Sequence, residues 1–164
     1  MASELLEGMY RALTGRRHTD ERTPFGELLA DLVDMAGSGR AAAALLGISP
    51  TTLYRWRAGR QRPKMGRGVL ARAIRRGRLS RALEAAVRRK ERTLRITGWI
   101  TISRDRRART INVGMHFPTR TIGNILNAWL AADDDRADRL LWSAIDRYYV
   151  QDLEIDEIEG VEFR

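Results

Sequence analysis

Cysteine is absent from all 164 residues, which rules out disulfides and thiolate zinc sites and fits the cytosol. Histidine occurs only at His18 and His116, far apart and without metal-ligand spacing around either. No run of about 18 apolar residues is present, so no membrane span is expected. The opening MASELLEGMY lacks a basic region followed by a long apolar stretch, so no secretory leader is expected. No glycine loop of the phosphate-cradling kind occurs. Acidic residues are scarce in one long region. Residues 40–109 hold 3 Asp or Glu against 21 Lys or Arg, an excess of 18 positive charges. The rest of the chain carries an excess of nine negative charges, and the formal net charge of the whole is +9. Such a strip attracts a phosphate backbone, with strongly salt-dependent binding. A solvated face that keeps the chain soluble is the alternative. A hydrophobic fraction of 43% argues for a folded protein with room for one or two small cores.

Within the basic strip lies Gly39–Lys64, GRAAAALLGISPTTLYRWRAGRQRPK. It reads as a helix-turn-helix, the unit that lays one helix in the DNA major groove. Arg40–Leu46 is a short Ala-rich helix that Gly47 can end in the left-handed conformation. Ser49 suits the N-cap of a second helix, Pro50 its first position, and Ile48 and Leu53 a hydrophobic staple. Gly59 stops that helix and Pro63 prevents its continuation. On a wheel starting at Pro50, Leu53, Trp56 and Arg60 share one direction, Thr51 and Arg55 point the other way, and Thr52 and Tyr54 flank them. Leu53 and Trp56 read as core, with base stacking the alternative for Trp56. Thr51, Thr52, Tyr54 and Arg55 form the expected groove-facing group. Arg55 suits a bidentate pair with guanine, and a Thr methyl suits contact with thymine. Arg40, Arg57, Arg62 and Lys64 read as phosphate contacts, which position a protein without specifying sequence.

The remaining periodicities predict an α+β fold. Residues 2–13 suit a short helix with Leu5, Leu6, Met9 and Leu13 on one side. Residues 15–22 read as a linker. Thr23 is expected to cap a helix with Pro24 at its first position and Phe25, Leu28, Leu29, Leu32 and Val33 on its apolar face. After Lys64, one helix around Val69–Ile74 and another around Leu79–Val87 are expected. The arginines at 72, 75, 76, 78, 88 and 89 suit either a second DNA-contacting surface or a hydrated face. From Leu94 the period changes to two, with Leu94, Ile96, Ile100 and Ile102 alternating with Arg95, Thr97, Thr101 and Ser103. Arg104–Arg107 is the expected turn. A second strand then carries Ile111, Val113, Met115 and Phe117, giving an antiparallel hairpin with Trp99 on its polar face. Two helices follow, one starting near Pro118 and one capped within Asp133–Asp135 and running to about Val150. The acidic end, LEIDEIEGVEFR, suits a third strand or an extended, solvated tail. The expected division is an N-terminal segment at 1–22, a helical DNA-binding domain at 23–92, and an α+β domain with an acidic tail at 93–164.

Threonines at 93, 97, 101 and 110 lie in or beside the hairpin. Threonine is common in strands because it is β-branched, so composition alone assigns these hydroxyls no chemistry. Asp133–Asp135 suits a helix break and cap better than a magnesium site.

The order of segments as a whole carries a resemblance. LLGISPTTLYRWRAGRQRPK is followed by a basic helical region, then RITGWITISRDRRARTINVG, then DRYYVQDLEIDEIEGVEF. This order resembles the terminal proteins of actinomycete linear chromosomes and plasmids, the telomere-capping proteins of the Tpg type. The helix-turn-helix is shared with many repressors, so the part beyond Leu94 carries the likeness. The resemblance implies a protein joined covalently to the 5′ end of DNA through a threonine hydroxyl. That protein then primes end-patching DNA synthesis. It is not an independent enzyme. It works on telomeric DNA in the cytoplasm, on the nucleoid, with a telomere-binding accessory protein and a DNA polymerase. No cofactor of its own is implied, and magnesium would arrive with the polymerase. A homodimer is compatible with the likeness, and a membrane has no part in it. The acceptor must be an exposed hydroxyl with positive charge near it. Thr97 and then Thr101 fit best, followed by Thr93 and Thr110. Two other readings suit the residues: a transcriptional regulator that uses its C-terminal domain for dimerisation or sensing, and a plasmid-partition or replication-accessory protein.

Overall fold

The computed structural model describes residues 2–16, 21–89, 93–113 and 118–164. The expected linker and strand residues His18, Met115, His116 and Phe117 lie outside the described residues. The fold is mixed α+β, with seven helices and a three-stranded antiparallel sheet among the described residues. Contacts divide the chain into two compact units: Thr19–Arg78, and Met1–His18 together with Leu79–Arg164. The sequence reading put the division at residues 92/93 and kept residues 1–22 apart. The difference arises because Leu5, Leu6, Met9 and Tyr10 are buried in the same core as the sheet.

The first unit is helical. Helix α2 (Phe25–Ala36) buries Leu28, Leu29, Leu32 and Met35. It begins one residue later than expected: Pro24 occupies the N-cap and no side chain caps the helix. Gly37 ends it at φ 88°. Helix α3 (Gly39–Leu46) starts at Ser38, whose hydroxyl accepts from the Ala41 amide at 3.1 Å. Helix α4 (Pro50–Arg57) follows after a short turn. The core of this unit joins Leu28, Leu32, Ala42, Ala43, Leu53, Trp56, Leu70 and Ile74.

Helix α5 (Arg67–Arg89) is a single 23-residue helix, where two were expected. Gly77 lies between the two expected segments, and its lack of a side chain gives Met35 room: a Cβ there would run into the Met35 thioether. Leu, Ala and Arg on either side are good helix formers and carry the helix through.

The second unit contains helix α1 (Ala2–Thr14), the sheet, and helices α6 (Thr119–Leu130) and α7 (Asp134–Tyr148). Strand β1 (Leu94–Ile102) is central, with β2 (Asp105–Val113) and β3 (Leu153–Phe163) antiparallel on either side. Leu94, Ile96 and Ile100 of β1, Ile111 and Val113 of β2, and Leu153 and Ile155 of β3 bury one face against Ile125, Leu126, Leu141 and Ile145. The alternate residues form a polar, outward face. The hairpin turn is Ser103–Arg104, not Arg104–Arg107. Both residues have positive φ, 49° and 71°, as a two-residue turn matching strand twist requires. Arg106 and Arg107, expected in the turn, belong to the edge strand β2. The acidic C-terminal stretch is β3, a full strand and not a tail. It carries two register irregularities against β1. Asp133 caps α7, its carboxylate accepting from the Arg136 amide at 3.3 Å.

Candidate nucleic-acid interface

Local sequence chemistry sets the geometry of α3 and α4. Gly47 takes φ 66°, and the Ile48 amide returns to the Ala43 carbonyl at 3.0 Å, closing α3. Ile48 then packs on the core beside Leu53. Ser49 accepts from the Thr52 amide at 3.1 Å and shares a second hydrogen bond with the Thr52 hydroxyl at 2.9 Å. Thr52 is therefore half-buried and occupied in the cap. The far end of α4 closes in the same way as α3: Gly59 takes φ 68° and the Arg60 amide returns to the Arg55 carbonyl at 2.9 Å.

Leu53 and Trp56 anchor one side of α4 in the core, at 2% and 6% exposure. The core reading of Trp56 stands. The other side is open. Tyr54 is 60% exposed, and Thr51, Tyr54 and Arg55 share an open recess of about 530 Å³ with Arg60 and Gln61. Arg60 is not with Leu53 and Trp56, as a helical wheel placed it. The helix ends at Arg57, and the glycine turn brings the Arg60 guanidinium to 5.9 Å from the Tyr54 ring centroid, a cation–π contact. Gln61 was missed for the same reason, since helical spacing says nothing of residues past a left-handed turn. Arg40, Arg57, Arg62 and Lys64 are all exposed.

The arginines of α5 divide by burial. Arg72, Arg76, Arg88 and Arg89 are exposed. Arg78 turns inward, with a side chain only 9% exposed and 3.3 Å from the Asp31 carboxylate. Its role is to join α5 to α2, which removes it from the set available to a phosphate.

The outward face of the sheet holds the hydroxyls. Thr97 and Thr110 face each other across β1 and β2, with their oxygens 3.1 Å apart. Thr101 donates instead to the Asp156 carboxylate of β3 at 2.9 Å. The same carboxylate oxygen accepts from Arg106 Nε at 3.2 Å. Thr101 also lines an open recess of about 740 Å³ with Ser103, Arg104, Asp152 and Glu154. Thr93 pairs its backbone with Arg164 at the far end of the sheet. Asp105, at the start of β2, is held below the usual carboxylate range, chiefly by a hydrogen bond from Arg107 and also by Arg109. Asp156 and Arg106 were missed by sequence reasoning. Arg106 stands opposite Thr101 once the turn is placed at Ser103–Arg104, whereas Asp156 reaches it only through the register of β3, which no local pattern fixes.

No group of three or more His, Cys, Asp or Glu placed to hold a metal ion occurs among the described residues. No helix among them is long and apolar enough to cross a membrane. Comparison with protein-family models, with curated proteins and with solved structures finds no match.

Proposed function

We propose that this chain is a DNA-binding terminal protein, in which α3 and α4 act as a helix-turn-helix and a sheet threonine accepts a nucleotide to prime DNA synthesis. The observation that carries the DNA reading is the open side of α4, where Thr51, Tyr54, Arg55, Arg60 and Gln61 line one recess opposite the buried Leu53 and Trp56. A helix anchored on one side and polar on the other can enter the major groove without losing its packing. Arg55 then reads guanine, and Thr51 meets a thymine methyl. Exposed Arg40, Arg57, Arg62 and Lys64 hold phosphates, and Thr52 contributes mainly by fixing the start of the helix.

The hydrogen-bonding of Thr101 supports the acceptor role. Its oxygen would attack the α-phosphate of a deoxynucleoside triphosphate, forming a threonine–phosphate ester and releasing pyrophosphate. The hydroxyl proton passes to Asp156, already the acceptor of its hydrogen bond. Arg104 and Arg106 supply positive charge near the phosphates. Thr97, whose hydroxyl is shared with Thr110, has no comparable base and takes second place. The magnesium ions come with the polymerase, and an accessory protein that binds telomeric DNA brings the two together on the nucleoid.

The test is isolation of the protein from its native cells under denaturing conditions. A terminal protein carries nuclease-sensitive DNA through denaturation. Protein free of DNA that binds a duplex palindrome as a dimer identifies a transcriptional regulator instead.

A further inference from the structure

We propose that the outward face of the sheet is a second nucleic-acid site, one that takes single-stranded DNA by stacking an unpaired base on Trp99. Among the described residues, Trp99 is the one large hydrophobic side chain of the sheet that is exposed. It sits in the middle of the central strand and is 36% exposed. Across from it on β2 is Ala108, which is too small to cover the ring. The other neighbours on that face are polar: Arg95, Thr97 and Thr101 on β1, and Arg106, Thr110 and Asn112 on β2. Trp99 is therefore not one corner of an apolar patch awaiting a protein partner. It is a single aromatic surface in a hydrogen-bonding surround.

The guanidinium of Arg106 lies 5.1 Å from the Trp99 ring centroid. A flat cation on an indole marks a position where a nucleobase also fits, either in its place or between the two planes. Charge selects the class of ligand. On the β1–β2 half of this face lie Arg95 and Arg106, with Arg104 in the turn and no acid among them. Arg106 pairs with Asp156 and Arg95 lies 4.0 Å from Glu162, exposed contacts that a phosphate can replace. Phosphates flanking a stacked base would find these arginines. Strand β3 carries Glu154, Asp156, Glu157, Glu159 and Glu162 and no basic residue. It repels phosphate, so the nucleic-acid strand lies over the β1–β2 half of the face. Duplex DNA offers this surface nothing, because its bases present edges in the grooves and keep their flat faces stacked. Unpaired bases are the ligands that gain. Nothing in α3 or α4 is needed for this binding.

The test uses the full chain and a fluorescent oligothymidylate of about ten nucleotides, followed by anisotropy at low salt. Trp99→Ala should weaken binding by about tenfold or more. Trp99→Phe, which keeps an aromatic face and the fold, should retain most of it. Binding of duplex DNA should be unchanged in both variants. Arg55→Ala should do the reverse, weakening duplex and sparing oligothymidylate, so failure of either site leaves the other standing. Equal oligothymidylate binding by wild type and Trp99→Ala, or no binding by wild type, overturns the proposal. Self-association that disappears in Trp99→Ala, without oligothymidylate binding, also overturns it and assigns the face to a second copy of the chain.

Discussion

Thr101 and Asp156 stand 55 residues apart in sequence, yet the Thr101 hydroxyl donates to the Asp156 carboxylate at 2.9 Å. The contact places a proton acceptor on one sheet hydroxyl and not on its neighbour Thr97. Under the terminal-protein reading, the two threonines should behave differently. In a telomere-replication extract with labelled deoxynucleoside triphosphate, Thr101→Val should abolish labelling, since valine keeps the shape and removes only the oxygen. Thr97→Val should label normally. Asp156→Asn should slow labelling by about 100-fold while leaving duplex binding intact. Normal labelling of Thr101→Val would move the acceptor to Thr97, Thr110 or Thr93.

Gly98 leaves no room for a side chain between β1 and β3. A Cβ there would run into the carbonyl oxygen of Glu157, in the stretch where β3 breaks register. That oxygen belongs to backbone and cannot swing aside. Gly98→Ala should therefore cost about 3 kcal/mol, at the upper end for overpacking, read as a lower urea midpoint. Gly160→Ala, on the same strand pair but with open space for a Cβ, is the control and should cost much less. Equal costs would show that the close approach is not what makes Gly98 necessary.

Asp105 gives the hairpin a small pH dependence. Arg107 and Arg109 favour its ionised form, so its value in the fold lies below the ordinary 3.8. A group lowered on folding adds stability that is complete above its unfolded value and is lost as pH falls through its folded value. The urea midpoint of the wild type should therefore fall more than that of Asp105→Asn as pH is lowered from about 5 to below 3.8. The residue is exposed, so the difference will be modest. Parallel profiles would mean that the arginines do not act on this carboxylate in solution.

What the sequence made legible was mostly local. The Gly47 and Gly59 stops, the Ser49 cap and the Leu53–Trp56 anchor each depend on residues within a turn or two, and all appear in the fold. The alternation of Leu94, Ile96 and Ile100 fixed the inward face of β1 for the same reason. Readings that needed distant partners were lost. The two helices expected around Val69–Ile74 and Leu79–Val87 are one, and Gly77 between them makes room for Met35 of another helix. The arginines at 106 and 107 resembled a turn because an edge strand with a solvent side has little need of apolar residues. The acidic residues from Glu154 onward suited a third strand or a tail alike, and the strand is what forms; the local pattern could not choose because the partner strand lies some 55 residues earlier. The acceptor carboxylate at Asp156 was hidden with them.

DNA reading by α4 is tested most directly by measuring one variant on two duplexes. A preferred site is first selected from random DNA by the wild-type chain. Arg55→Ala should then lose about 1–3 kcal/mol on that site and much less on random duplex, because a bidentate base contact is worth something only where its guanine is present. Arg57→Ala should weaken both duplexes alike, with a shallower dependence on salt, as a phosphate contact does. Equal losses for Arg55→Ala on the two DNAs, or no selectable site at all, would contradict the assignment of α4 as the helix that reads sequence.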